Sequence, residues 1–189
     1  LTGAKAWGKD GKYIGVACFA DNPADAGQAK KYADNNCPEN YSNGRANKLY
    51  LGVFSWQNQQ LTPIARSEKP LNQLSAWNKT AEKESDDASV RPLAYYTKLD
   101  LAPYGIAPDT LAFAVRGGYS EAYSGGGAFY EVLELYAIKD NKIINVFSNL
   151  VYQYQDIAGD WNQDGTRQHD ISESKYILKM RSAKTHGFY

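Results

Sequence analysis

The segment LELYAIKDNKIINVFS, residues 133–148, decides the fold class. It consists of an apolar and aromatic run, LELYAI, the polar tetrapeptide KDNK, and a second apolar run, IINVFS. Two runs rich in Leu, Ile, Val, Tyr and Phe, separated by a short polar segment with Asp and Asn, are typical of antiparallel strands joined by a tight turn. The segment therefore predicts a β-hairpin.

A second segment follows the same scheme: LYLGVFSW, QNQQ and LTPIAR at residues 49–66. The likeness favours two related hairpins, but any two hairpins share these features, and two copies are fewer than a repeat architecture needs. Further runs at residues 13–19, 111–116, 150–157 and 175–180 give about eight strands, at the spacing of a sandwich. Residues 23–32 favour a short helix, with Pro23 at its first position. We expect an antiparallel, β-sandwich-like fold with one or two short helices.

Length and composition indicate one domain spanning residues 1–189. The chain has 43% hydrophobic and 22% charged residues, which is enough apolar material for one core. Lys plus Arg and Asp plus Glu both number 21, so the net charge is zero and a nucleic-acid partner is not expected. No run approaches the ~20 apolar residues that a membrane helix needs.

Cys18 and Cys37 are the two cysteines of the chain. A zinc site needs about four nitrogen or sulfur ligands, and a C-x-x-C redox motif is absent. A disulfide between Cys18 and Cys37 is the favoured interpretation, with two buried free thiols as the alternative. A disulfide implies an oxidising compartment, so we expect the protein to be periplasmic or secreted.

The segment DWNQDGTRQHD, residues 160–170, places oxygen-bearing side chains at alternate positions before Gly165. It resembles the calcium loops of the EF-hand, dockerin and integrin-type repeat families, in which such a pattern turns several oxygens toward one ion. Ile171 departs from the EF-hand pattern, which has Glu at that position. An Asp- and Asn-rich turn that bonds its own backbone is the open alternative. The expected calcium ligands are Asp160, Asn162, Asp164, Thr166 and Asp170.

A wider resemblance covers the C-terminal half. The segments LDLAPY at 99–104, AFAVR at 112–116 and GDWNQDGT at 159–166 are similar to uncharacterised exported proteins of Gram-negative bacteria. The resemblance implies a periplasmic or outer-surface location and implies no activity.

A candidate partner-binding segment is rich in Tyr, Gly and Ser. Residues 117–127 hold Tyr119 and Tyr123 between two groups of glycines. Tyr offers a large contact area with a polar tip, so an exposed loop here is expected to contact a partner, although strands also favour Tyr. The expected function is that of an exported, non-catalytic binding protein: an inhibitor or immunity protein that masks a toxin or cell-wall hydrolase.

An enzyme is the less favoured alternative. The chain has two histidines, His169 and His186, and neither lies near a Gly-x-Ser-x-Gly segment, so nucleophilic catalysis is disfavoured and no catalytic residue is assigned. An envelope hydrolase, acting on cell wall or glycosides, would use paired carboxylates. The candidates for such a pair are Glu131, Glu134, Asp156 and Asp160.

Overall fold

The computed structural model describes residues 2–8, 10–19, 39–40, 45–46, 48–71 and 95–181. These residues form strands and turns, which confirms the mainly β class. The strands are β1 (Thr2–Trp7), β2 (Lys12–Phe19), β3 (Glu39–Asn40), β4 (Arg45–Ala46), β5 (Lys48–Gln57), β6 (Gln60–Arg66), β7 (Tyr95–Ala107), β8 (Thr110–Tyr123), β9 (Gly126–Lys139), β10 (Lys142–Trp161) and β11 (Arg167–Lys175). The helix predicted over 23–32 lies outside the described residues. Within those ranges no helix could cross a membrane.

The strands form one large sheet where a sandwich was predicted. Nine strands are ordered β1-β2-β5-β6-β10-β9-β8-β7, with β11 beside β10, and β3 and β4 form a separate pair. From β7 to β11, each strand is antiparallel to the next in the chain. The first four strands of the order join the rest through one parallel pair, Lys142 with Arg66. One hydrogen-bonded sheet therefore links both parts of the molecule.

Both predicted hairpins are confirmed. Asn58 and Gln59 turn β5 into β6 with φ angles of 52° and 61°, and Asp140 and Asn141 turn β9 into β10 with φ angles of 50° and 60°. Positive φ at both central residues is the type I′ geometry, whose twist matches that of paired strands. Asn and Asp tolerate this conformation better than most residues, so the two turns follow from local chemistry.

The sheet folds over so that its first half packs on its second. β1 and β8 stand six places apart in the strand order, which would be about 29 Å in a flat sheet. Yet the rings of Trp7 and Phe113 lie 5.4 Å apart, edge to face. The buried cluster between the halves comprises Trp7, Ile14, Leu49, Leu51, Val53, Ala65, Leu71, Tyr96, Phe113, Val115, Val132, Tyr136 and Ile143. We call the side of β8 and β9 that faces this cluster the inner face.

The opposite side of β8 and β9, the outer face, carries a second cluster. Ala112, Ala114, Leu133, Leu135 and Ala137 are buried there, and Tyr104, Ile106, Phe147, Val151 and Leu178 pack against them. Residues 132–137 are consequently buried without a break. Leu178 follows β11, and this corrects the strand predicted over residues 175–180, because β11 ends at Lys175.

Beyond this core the same strands continue as a thinner extension. We define the distal sheet as residues 119–123 of β8, 126–131 of β9, 150–161 of β10, and all of β11. None of its described side chains is buried. Its side chains are half-buried or exposed, and Tyr119 and Leu150 at its base pack against the main cluster.

Candidate functional site

A line of uncharged side chains crosses the inner face of the distal sheet from β8 to β11. The rings of Tyr119 and Tyr130, on directly paired residues, are stacked with centroids 4.4 Å apart. The Tyr130 hydroxyl accepts a 2.8 Å hydrogen bond from Nε2 of Gln155, and Oε1 of Gln155 accepts one of 3.3 Å from the Ser172 hydroxyl. We call Tyr119, Tyr130, Gln155 and Ser172 the platform. These contacts hold aromatic and amide groups in a fixed arrangement while leaving most of them half-exposed.

The exposed loop predicted over residues 117–127 is wrong. β8 continues to Tyr123 and β9 begins at Gly126, so Ser124 and Gly125 alone form the turn between them. Cross-strand pairing along the whole segment outweighs the loop tendency of its glycines. A Cβ atom on Gly127 would lie 2.6 Å from the Glu121 carbonyl oxygen, so the absence of a side chain there permits close strand contact.

The two tyrosines predicted to bind a partner occupy different places. Tyr119 lies in the platform, where its ring is half-buried. Tyr123 is the last residue of β8 and pairs with Gly126, and its side chain lies outside the described part of the structure. Tyr130, which the sequence did not single out as an anchor, is the residue that contacts Tyr119.

The outer face at the base of the distal sheet carries an ion-pair network around Arg116. Its guanidinium lies 3.0 Å from the Asp100 carboxylate and 2.7 Å from that of Glu131. Partial burial raises the pKa of Asp100, but hydrogen bonds from Arg116 and the Ala102 amide together lower it by more. The pKa of Asp100 therefore lies below its ordinary value. The network sets one guanidinium between two carboxylates, which leaves one net negative charge, and it links β7, β8 and β9.

Further along the outer face, charged groups also pair within the sheet. His169 Nδ1 lies 2.6 Å from Asp156 Oδ1 across β10 and β11. The Lys175 ammonium lies 2.9 Å from the Glu173 carboxylate and 5.7 Å from the centre of the Tyr152 ring. The outer face is therefore polar and carries paired charges, whereas the platform on the inner face is uncharged.

The predicted calcium loop forms a tight turn between β10 and β11. The Asp164 carboxylate accepts hydrogen bonds of 2.9 Å from the Thr166 amide and 2.6 Å from its hydroxyl. These bonds lower the pKa of Asp164, the hydroxyl bond having the larger effect. The Asn162 amide nitrogen donates a 2.9 Å bond to the Thr166 hydroxyl oxygen. Such bonds are those of the Asx-rich turn that the sequence left open as the alternative.

Asp170 stands apart from that turn. It pairs with Ile157 in the β10–β11 ladder, and four residues of extended chain, about 13 Å, separate it from Thr166. In the ranges that the structure describes, no three His, Cys, Asp or Glu side chains are gathered for a metal ion. The turn does adjoin the β8–β9 turn, because a Cβ atom on Gly125 would collide with the Arg167 side chain.

Among the candidate carboxylates of a hydrolase, Glu134 lies on the opposite face of the sheet from Glu131 and Asp156, and Asp160 is exposed near the end of β10. Glu131 pairs with Arg116 on the outer face, and Asp156 pairs with His169. Glu134 is three residues from Glu131 in the same strand and thus points to the inner face, where it is buried. It accepts a 2.6 Å hydrogen bond from the Tyr136 hydroxyl, and burial raises its pKa to about 7.

Two charged residues emerge here that the sequence did not single out in these roles: Arg116 as the centre of a network, and Glu134 as a buried acid. A weak signal existed for Glu134, since it is the one charged residue inside the apolar run LELYAI. No sequence signal identified the partners of Arg116, because they depend on which strands are neighbours.

The protein-family models, the curated proteins and the solved structures contain no match to this chain. The fold and the site therefore rest on the sequence and the geometry described above. Cys18 lies half-buried in β2, and Cys37 lies outside the described residues, so their pairing stays a prediction.

Proposed function

We propose that this chain is an exported binding protein without catalytic activity, and that it acts as an inhibitor or immunity protein in the periplasm or outside the cell. The observation that carries the proposal is the platform. Its side chains Tyr119, Tyr130, Gln155 and Ser172 are in mutual contact across four strands, carry no charge and remain accessible.

The chemistry of the platform suits a protein ligand. Tyr buries a large amphipathic area at low entropic cost, and amide and hydroxyl groups adapt to the polar groups of a partner. Side chains that already contact one another lose little freedom on binding, which favours affinity. A toxin or a cell-wall hydrolase is the kind of target that such a protein would mask in the envelope.

The direct test is recovery of the partner from a periplasmic extract on immobilised protein, followed by mass spectrometry and titration. Replacing Tyr119 and Tyr123 with Ala should weaken binding, by about 2 kcal/mol for each residue that is central to the interface. The matched control is Tyr50→Ala, at a half-buried tyrosine in β5. Equal affinity of the doubly substituted protein and the control would remove this end of the sheet from the interface.

A disulfide between Cys18 and Cys37 belongs to the same proposal, because it fits an oxidising compartment. Intact mass should be unchanged after thiol alkylation of the folded protein without reductant, and should rise by two adducts after reduction. Two adducts without reductant would exclude the disulfide and remove one support for export.

A structural Ca²⁺ in the turn between β10 and β11 is a further part of the proposal, with Asp160, Asn162, Asp164, Thr166 and Asp170 as the expected ligands. Asp164 and Thr166 already hold a carboxylate and a hydroxyl oxygen 2.6 Å apart, whereas Asn162 turns its amide nitrogen to Thr166 and would have to turn its oxygen inward. An all-oxygen set suits a hard cation. Asp170 would have to approach the turn from its position in β11.

An envelope hydrolase using carboxylates is the second candidate. Burial raises the pKa of Glu134 to about 7, in the range of general acids, and a substrate would have to reach this side chain, which is 2% exposed. Incubation with peptidoglycan and with model glycosides tests this candidate. Product release that Glu134→Gln abolishes and Glu121→Gln, at an exposed position of β8, leaves intact would establish the enzyme and overturn the non-catalytic proposal.

A further inference from the structure

In the part of the chain that the structure describes, β11 is an edge strand of the large sheet. It pairs with β10 on one side, and no described strand lies on the other. Residues 168–173 are all exposed, and Ile171 at its centre is 58% exposed. An open edge presents unpaired backbone N–H and C=O groups in a row, which a further strand can complete.

The sequence of β11, RQHDISESK, is complementary to itself when reversed. In an antiparallel pair centred on Ile171, that residue meets its own counterpart, and the exposed apolar groups cover each other. On the outer face His169 lies opposite Glu173 of the second copy. On the inner face Asp170 lies opposite Ser172, and Gln168 opposite Ser174. Hydrogen-bonding pairs of this kind stabilise adjacent strands.

The neighbouring registers are worse. A two-fold axis perpendicular to the sheet keeps each face on its own side. The axis can therefore lie only at a position where a residue pairs with its own counterpart. Moving it to Asp170 places two Asp170 carboxylates against each other, and moving it to Ser172 places the exposed Ile171 against the Glu173 carboxylate. The register centred on Ile171 avoids both conflicts.

One pair in that register carries like charges, Arg167 opposite Lys175. Each of these side chains already contacts groups of its own chain. Arg167 donates a 2.9 Å hydrogen bond to the Gly159 carbonyl and lies over the Trp161 ring. Lys175 forms its ion pair with Glu173 at 2.9 Å. The like charges thus lie at the two ends of the ladder, where the chains can separate.

We propose that two copies of this chain associate through antiparallel pairing of β11 with β11, with Ile171 on the two-fold axis. The two distal sheets then form one continuous sheet with a platform in each half. This inference does not depend on the proposed function, since it needs no other partner.

Cysteine cross-linking tests the register. In Ile171→Cys the two Cα atoms of the dimer would lie about 4.5–5.5 Å apart, within reach of a disulfide. The matched control is Ile157→Cys, because Ile157 is similarly exposed, at 51%, but lies in β10. Under mild oxidation we expect covalent dimers of Ile171→Cys and monomers of both Ile157→Cys and the parent protein. Equal cross-linking of the two variants would overturn the proposed register.

Sedimentation equilibrium tests the association itself. The parent protein should dimerise, and Glu173→Lys, which removes the acceptor opposite His169 and adds a cation to the ladder beside Arg167 and Lys175, should raise the dissociation constant at least tenfold. Asp109→Lys, an equal change of charge in the turn between β7 and β8, should leave it unchanged. A parent protein that is monomeric at every concentration, or a dimer that Glu173→Lys does not weaken, would overturn the proposal.

Discussion

The two ends of the same strands differ sharply in burial. In β9, residues 132–137 are buried on both faces, whereas residues 126–131 of the same strand are all partly exposed. The first half of the molecule covers the inner face of the core end, where Trp7 meets Phe113. At the other end of the strands Tyr119 stacks on Tyr130, and both side chains stay half-buried. One sheet thus supplies a stabilising core and, by continuing past it, a partly exposed surface.

The difference shows how an extension can stay ordered without a core of its own. Backbone pairing with the buried part fixes the register of the distal strands, and side-chain contacts such as Gln155 with Tyr130 tie adjacent strands together. Stability should therefore be concentrated in the core end, and substitutions in the distal sheet should affect binding more than folding.

The largest expected difference is in the unfolding free energy lost on replacing Phe113 and on replacing Phe129. Phe113 is fully buried between Trp7 and Tyr136, so Phe113→Ala should cost about 3–5 kcal/mol of unfolding free energy. Phe129 is partly exposed in the distal sheet, so Phe129→Ala should cost about 1 kcal/mol of unfolding free energy. Urea unfolding measures both. Equal losses would show that the distal sheet contributes to stability as strongly as the core.

The second effect concerns Glu134, buried at the core end. Its pKa of about 7 in the folded protein exceeds the ordinary 4.5, so folding favours the protonated form. This contribution to stability is complete below pH 4.5 and is lost as the pH rises through 7, for a total of roughly 3 kcal/mol.

Glu134→Gln cannot ionise and should remove that loss of stability between about pH 5 and 8. Urea unfolding across this range checks the expectation, with Glu121→Gln as the exposed control. A parent protein and a Glu134→Gln variant with the same pH dependence would contradict it.

The third effect concerns the turn at the far end of the distal sheet. If Ca²⁺ binds the folded turn and not the unfolded chain, then calcium at 100 times its dissociation constant should add roughly 2.7 kcal/mol of stability. Thermal melts with EDTA and with millimolar CaCl₂ measure this, and Asp164→Asn should reduce the difference. Identical midpoints, with no calcium in elemental analysis, would leave an ordinary Asx-rich turn.

The smallest expected effect on stability concerns Arg116, at the boundary between the core and the distal sheet. Arg116→Gln removes two partly buried ion pairs and should cost about 1–2 kcal/mol, whereas Lys142→Gln, at the exposed pair with Glu68, should leave the free energy of unfolding almost unchanged. The pKa of Asp100 is lowered, so its stabilisation is present at neutral pH and is lost as the pH falls below its ordinary value. The cost of Arg116→Gln should therefore shrink in acid, and a constant cost would contradict the pairing.

Sequence reasoning succeeded where local chemistry decides structure. The turns at Asn58–Gln59 and Asp140–Asn141 were predictable because polar residues that tolerate positive φ separate apolar strands. The prediction failed for β11, because an edge strand exposed on both faces has no hydrophobic alternation to reveal it. The apolar run after it, which includes Leu178, was mistaken for the strand.

The site was predictable only in part. The sequence shows the group of tyrosines near the glycine-rich segment, but the segment predicted to be a loop is a hairpin. Tyr119 meets Tyr130, and Arg116 meets Asp100, only once the register of three strands is fixed. Register depends on pairing along the whole sheet, and one sequence does not supply it.

The parallel pair between Lys142 and Arg66 joins the two halves of the sheet, and this arrangement affects the order in which the chain folds. From β7 to β11, strands that are neighbours in the sheet are neighbours in the chain, so each hairpin closes a short loop. Bringing Trp7 to Phe113 instead closes a loop of about a hundred residues, at a higher cost in chain entropy. Contacts distant in sequence slow folding, so we expect the hairpins of the second half to form first and the docking of the first half to complete the native state.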